Sequence, residues 1–343
     1  MSNFSYSMRM FSSGTFSNNR TRRMFTASTI YDALSITIFT LSILLNGMVT
    51  VALLKNIKKT LLDKLLLSLA SNDLCRAIIS YLPHVLELVA ERELISGPPC
   101  NVIAFVITSL ALTSISHIVA LSLECAVTIS VPYFTSMLVD CHNIRNAILA
   151  VTWFYGILWA TPPLFGWSRY APLNHKECSI DWQNSTAEGK SYVIMLLIFC
   201  FALPLTIMIA SFCVVHKELT MSKERARSLL GRRHHATRSS HSAKVKHSKM
   251  VLTIVTCFVS AWTPYAVVSL LMAGGATIPI ELTLASRLLG KSSSVFNPII
   301  YVLTKRKYRY AVRKLFQTFP AIQLSKRVVL SVIKTTDGSE DSY

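Results

Sequence analysis

The sequence predicts an all-α membrane protein: a seven-transmembrane helix bundle followed by a short amphipathic eighth helix. Three observations carry that expectation. The first is composition. Of 343 residues, 52% are hydrophobic and only 15% charged, whereas a soluble domain exposes far more charge. The second is the recurrence of apolar runs long enough to cross a bilayer, which takes about 20 helical residues. The third is where the cations fall. The net charge is +18, yet Lys55, Lys58, Lys59 and Lys64 follow the first run, a cluster from Lys217 to Lys249 separates the fifth from the sixth, and another from Lys305 to Lys314 follows the seventh. With seven spans, all three groups lie on one side. Cationic loops stay in the cytoplasm, so the amino terminus is expected outside and the carboxyl terminus inside. Topology accounts for the basicity without nucleic acid.

Taken in order, residues 1–31 are polar and lack the continuous apolar core of a secretory signal. They are expected as an extracellular tail with glycosylation sequons at Asn3 and Asn19. Arg20, Arg22 and Arg23 there weaken the charge asymmetry without reversing it. The membrane domain is expected over 32–304, with spans at about 32–55, 62–89, 98–130, 143–165, 190–215, 247–272 and 281–303. The first span serves as the insertion signal, and the third, longer than the bilayer needs, is expected to tilt. Cys100 opens the third span and Cys178 lies in the loop after the fourth. Both face the oxidising outer side, where a bridge is expected. A further sequon stands at Asn184. The segment 221–248, rich in Arg, Ser and His, is expected to be disordered at its centre and helical only where it extends its neighbours. The stretch "KRKYRYAVRKLFQTF" fits an amphipathic helix over 305–318 on the inner membrane surface. Residues 319–343 form a polar cytoplasmic tail with hydroxyls for phosphorylation.

Polar groups inside spans are costly and therefore informative. Asn46, Asp73 and Asn297 sit in different spans and are expected to form a buried hydrogen-bonded cluster, around a sodium ion or waters, or as interhelical glue. Pro204, Pro264 and Pro298 break the backbone ladder and supply hinges. The seventh span raises the main question, because Lys291 lies near its middle. A neutral, desolvated amine there is a good nucleophile towards an aldehyde. Arg287, one turn earlier, shares its face at roughly 6 Å between Cβ atoms. At an effective dielectric near 20, two such cations repel by roughly 3 kcal/mol.

In order, "LLNG", "LASNDL", Cys100, Trp153, Cys178, Pro204, "AWTPY", "NPIIY" and the basic amphipathic helix resemble the rhodopsin-like (class A) G-protein-coupled receptors over residues 35–317. Within them, "GKSSSVFNPIIY", with five residues between Lys291 and Asn297, looks like the opsin pattern, and "PPLFGWSRYAPLNHKECSID" resembles the opsin plug over retinal. The resemblance implies a receptor, not an enzyme, with retinal joined to Lys291 as a Schiff base. It places Trp262, Tyr265, Phe201 and Ala111 along the chromophore, and Asp73, Glu124, Cys125, Asn297, Pro298 and Tyr301 among the activation switches. It allows a sodium ion near Asp73. It implies a heterotrimeric G protein, arrestin and membrane lipids as partners, at the plasma membrane.

The chain departs from the family in two places. Where opsins keep the carboxylate that balances a protonated Schiff base, this sequence has Ile103 in the third span, Leu173 or a neighbour in the outer loop, and His84 in the second span. Arg287 and Arg76 add positive charge. This favours an unprotonated, ultraviolet-absorbing state. The alternatives are an inorganic anion such as chloride held at Arg287, or Glu87, Glu281 or Asp181 reaching inward. At the inner end, "LECAVTISVPY" keeps Glu124 but has Cys125 for the family's arginine, and Lys244 stands where the sixth span often carries an acid. Losing both would leave the resting state weakly held, or coupling poor. The pattern is that of a divergent opsin of invertebrate or cnidarian type. Three functions follow: a light-sensing opsin, a retinal photoisomerase or retinoid-binding opsin with weak coupling, or a chemoreceptor for a small anion clamped by Arg287 and Arg76.

Overall fold

A computed structural model describes residues 3–56, 60–90, 98–131, 133, 141–174, 177–184, 186–228 and 234–318, with side chains described from residue 26 except 56, 86–90, 173–174, 225–241 and 316–318. The helices are Asn3–Asn56, Leu61–Ala90, Pro98–Ser130, His142–Ala160, the pair Ala187–Leu197 and Leu203–Ser228 joined by a π turn at Ile198–Ala202, His234–Ala273 and Ile280–Thr304. A surface helix, Arg306–Thr318, follows. Helices satisfy every interior backbone group within the segment, which is what a hydrocarbon environment requires. Six helical stretches among the described residues are long and apolar enough to cross a membrane. The seventh helix is 25 residues long, and Glu281, Arg287, Lys291 and its serines dilute its apolarity.

The second, third, fourth and seventh expected spans stand within a few residues of these helices. The first helix reaches back to Asn3, so part of the stretch expected as a tail is helical; its apolar part is Thr26–Lys55. The fifth and sixth helices run inward to Ser228 and from His234. The centre of the basic segment, the 319–343 tail and the side chains of Asn3 and Asn19 lie outside the described residues.

Local chemistry sets the ends and kinks. Thr186 caps the fifth helix, its hydroxyl accepting from the Gly189 amide at 3.1 Å. The sixth helix stops at Gly275, whose φ of +89° suits glycine. There the amides of Gly275 and Ala276 donate back to Met272 (3.0 Å) and Leu271 (2.9 Å) in a Schellman arrangement. The π turn precedes Pro204, which has no N–H to donate. The Phe199 carbonyl in that turn accepts from the Tyr155 hydroxyl at 2.6 Å.

The third helix is the central post. The fourth crosses it at Gly156, where an added Cβ would lie 2.6 Å from the Ser109 carbonyl and 2.7 Å from the Thr113 amide. At the end of the bundle where the third helix begins, β1 (Tyr170–Asn174) and β2 (Glu177–Ile180) form an antiparallel hairpin. The expected disulfide between Cys100 and Cys178 pins β2 to the third helix. On the inner side, Asp63 accepts from Lys307 at 2.6 Å and Tyr308 at 3.0 Å, docking the surface helix against the second.

Candidate functional site

Beneath the hairpin lies a cavity of about 220 Å³ with mostly apolar walls. Ala111 of the third helix, Phe201 of the π turn, Trp262 and Tyr265 of the sixth helix, and Arg287 and Lys291 of the seventh all line it. Arg76 also lines it. Gly290 brings the seventh helix under the indole of Trp262, and Trp262 Nε1 donates to Ser293 at 3.1 Å. Trp182, just beyond β2, meets Tyr265 edge-on at 5.5 Å between centroids. Tyr265 meets Trp262 edge-on at 5.7 Å. These contacts run unbroken from the hairpin to the sixth helix beside Pro264.

Lys291 is engaged from two directions. Its ammonium pairs with Glu177 of β2 and donates to the hydroxyls of Tyr31 (2.6 Å) and Ser35 (3.3 Å) on the first helix. The Tyr31 hydroxyl in turn donates to the other Glu177 oxygen at 2.7 Å. Burial raises the Glu177 carboxyl, but the charge and hydrogen bond of Lys291, the Tyr31 hydroxyl and the charge of Arg287 outweigh it and hold the group below its ordinary value.

Glu177 corrects the expectation that no carboxylate attends the amine. It stands at none of the three places searched, but immediately before Cys178. The disulfide holds β2 over the cavity, and Glu177 lines it together with Cys178, Ser179 and Ile180. Two of the carboxylates suggested from sequence stand elsewhere. Asp181 pairs outward with Arg169 at 2.8 Å, and Glu281 is exposed at the start of the seventh helix. The side chain of Glu87 lies outside the described residues. Arg287 is only 8% exposed and faces the cavity, with Nη1 buried and without a hydrogen-bond partner among the described residues.

The polar cluster forms in two parts. Asp73 accepts from Ser114 at 2.9 Å and Asn297 at 2.8 Å, and Arg76 lies 3.5 Å away. A guanidinium thus stands beside the carboxylate where a sodium ion was expected. Asn46 bonds instead to the Ser42 and Ser294 carbonyls, both at 3.0 Å, tying the first helix to the seventh. Pro298 and Tyr301 are buried in the seventh helix.

At the inner end, Cys125 is buried and Glu124 crosses to the sixth helix, with Oε2 3.0 Å from His247 Nε2, an ion-pair distance without hydrogen-bond alignment. Lys244 reaches the Ile129 carbonyl at 3.5 Å, near the carboxyl end of the third helix. The acid is on the third helix, and the histidine and lysine that approach that helix's inner end are on the sixth. The two helices are therefore joined, where loss of the arginine suggested a loose contact.

Comparison with known proteins agrees with this arrangement. The profile of the family described as "7 transmembrane receptor (rhodopsin family)" matches residues 45–301. "Opsin-5" of Mus musculus is 36% identical over 168 residues, 48% of this chain and 43% of that protein. "Rhodopsin, GQ-coupled" of Mizuhopecten yessoensis is 28% identical over 262 residues, 74% of this chain and 52% of that protein. The chain thus spans about half the length of these relatives. The crystal structure of squid rhodopsin matches with a TM-score of 0.72 over 86% of this chain and 87% of that one, at 23% identity, which speaks for the fold. The chain belongs to the rhodopsin family of seven-transmembrane receptors, and the relatives it matches are opsins.

Proposed function

We propose that this receptor is a light-sensing opsin carrying retinal on Lys291. The observation that carries the reading is a lysine amine at mid-span, opening into an aromatic-lined, mostly apolar cavity closed outward by a disulfide-pinned hairpin. The amine nitrogen would form a C=N bond to the aldehyde carbon, the aldehyde oxygen leaving as water. Bound retinal supplies a polyene that changes shape on absorbing light. Phe201, Ala111 and Tyr265 would hold it, and Trp262 would relay movement to the helix at Pro264. The hairpin and its disulfide exclude water from the nitrogen.

Chloride is the finer part of this reading. Arg287 adds a buried cation, and a small anion at its Nη1 would balance it. A heterotrimeric G protein is the proposed partner, supported by the name of the Mizuhopecten relative. Arrestin would share that inner face, and lipids would meet the amphipathic surface helix. The cations at the inner ends support a plasma-membrane topology with the amino terminus outside and Asn184, on the hairpin side, open to glycosylation.

The test is reconstitution of purified protein with 11-cis retinal, with spectra before and after acid denaturation and light-dependent nucleotide exchange on several G proteins. An acid-stable protonated adduct with light-dependent exchange supports the reading. No adduct in the wild type refutes it and brings forward a receptor for small anions. An adduct without exchange on any G protein refutes the signalling half and leaves a retinoid-binding opsin.

A further inference from the structure

We propose that Glu177 is the counterion of the cationic nitrogen at Lys291, and that Tyr31 of the first helix is the residue that positions it. The inference rests on the retinal reading above and identifies which groups of this chain govern the colour and proton affinity of the pigment.

Glu177 is the carboxylate in direct contact with the Lys291 nitrogen among the described residues. Its place is fixed at both ends. One residue on, Cys178 is covalently tied to the third helix. At the carboxylate, one oxygen faces Lys291 and the other accepts from Tyr31. A carboxylate with one oxygen committed to a buried hydroxyl cannot turn away without breaking that bond. Tyr31 is itself 1% exposed, and its ring lies 4.5 Å from the Lys291 nitrogen, so the cation meets both its hydroxyl oxygen and its π face. The same groups suit a nitrogen bearing one hydrogen as well as an ammonium: it donates once, to Glu177, while Tyr31 keeps its bond to the second oxygen.

Other charges act on the site. Arg287 works against the cation and with the carboxylate, and Asp32, beside Tyr31 in the chain, also reaches Lys291 electrostatically. Asp32 is therefore the competing carboxylate that the experiment must separate from Glu177.

The experiment compares wild type, Glu177→Gln, Tyr31→Phe, the double variant and Asp32→Asn, each with 11-cis retinal, by pH titration of the visible band in chloride-free sulfate buffer. Removing a contacting opposite charge is expected to move the midpoint down by roughly one to three pH units in Glu177→Gln. Tyr31→Phe is expected to give a smaller shift in the same direction. The double variant is expected to match Glu177→Gln alone, because a positioning residue acts only through what it positions. Asp32→Asn, which removes a charge that acts on Lys291 more weakly than Glu177 does, is expected to shift the midpoint less than Glu177→Gln.

A second readout needs no retinal: the pH profile of Lys291 acetylation in the apoprotein, read by peptide mass spectrometry. Glu177→Gln is expected to make Lys291 reactive at lower pH. Pigment that forms in every variant with unmoved midpoints overturns the counterion assignment and leaves the opsin reading standing. A shift in Asp32→Asn larger than that in Glu177→Gln transfers the role to Asp32. Failure of the wild type to form pigment overturns the opsin reading itself. An acetylation profile unchanged by Glu177→Gln then removes the pairing as well.

Discussion

Replacing Arg287 by methionine tests the electrostatics of the cavity. Arg287 is 8% exposed and four residues before Lys291. On a helix that spacing puts the Cβ atoms roughly 6 Å apart. Two unit charges at about 6 Å and an effective dielectric near 20 repel by about 3 kcal/mol, which corresponds to about two pH units in a titration midpoint. Arg287→Met is therefore expected to move the visible band's midpoint up by about two units in chloride-free buffer, and by less in chloride, where an anion already offsets the charge. The same substitution removes a buried cation with an unpartnered Nη1. Replacing such a group by an apolar side chain of similar length is not expected to lower thermal stability. The assay is a spectral pH titration with a parallel melting curve. An unmoved midpoint together with a clear loss of stability would refute the reasoning and make Arg287 a structural residue with its charge satisfied.

Other predictions concern the inner latch, a helix crossing and the plug. His247→Ala should raise nucleotide exchange in the dark by releasing Glu124, and His247→Arg should keep it low; equal dark activity in both would show that the 3.0 Å pair does not restrain the sixth helix. Gly156→Ala should lower thermal stability by about 1–3 kcal/mol, because its Cβ meets backbone that cannot yield; an unchanged melting temperature would refute that close approach. Glu177 links stability to pH. Its folded-state carboxyl lies below its ordinary value, so its contribution is full above about pH 4.3 and is lost as pH falls through the folded value. The melting advantage of wild-type apoprotein over Glu177→Gln should thus be constant near neutrality and shrink in acid; an advantage that grows in acid would contradict the pairing.

The spans were legible because membrane burial imposes long apolar runs, and Lys291 was legible because a mid-span lysine conflicts with that rule. Cys100, Cys178, Trp262, Tyr265, Phe201 and Ala111 were placed through the family pattern, and the structure gathers them. Glu177 was missed for a physical reason. It lies in a loop, 114 residues from Lys291 in sequence, and which face of β2 it presents is set by the hairpin register and the disulfide. The usable signal was its position directly before Cys178: the residue next to a cysteine bridged to the third helix is held close to the cavity that the bridge covers. The contact between Glu124 and His247 is not legible in the sequence, because the family pattern places the basic partner on the third helix at Cys125. Glu124 was kept, and its neighbour is His247 on a different helix, a pairing that no local pattern reveals.

The claim on which the rest depends is that retinal is bound covalently at Lys291. It is tested most directly by reducing the reconstituted pigment with borohydride and locating the retinyl group by peptide mass spectrometry. The account predicts a single modified site at Lys291 and no modified peptide in Lys291→Ala. A retinyl group on another lysine, or none on a protein that is otherwise folded, would contradict it.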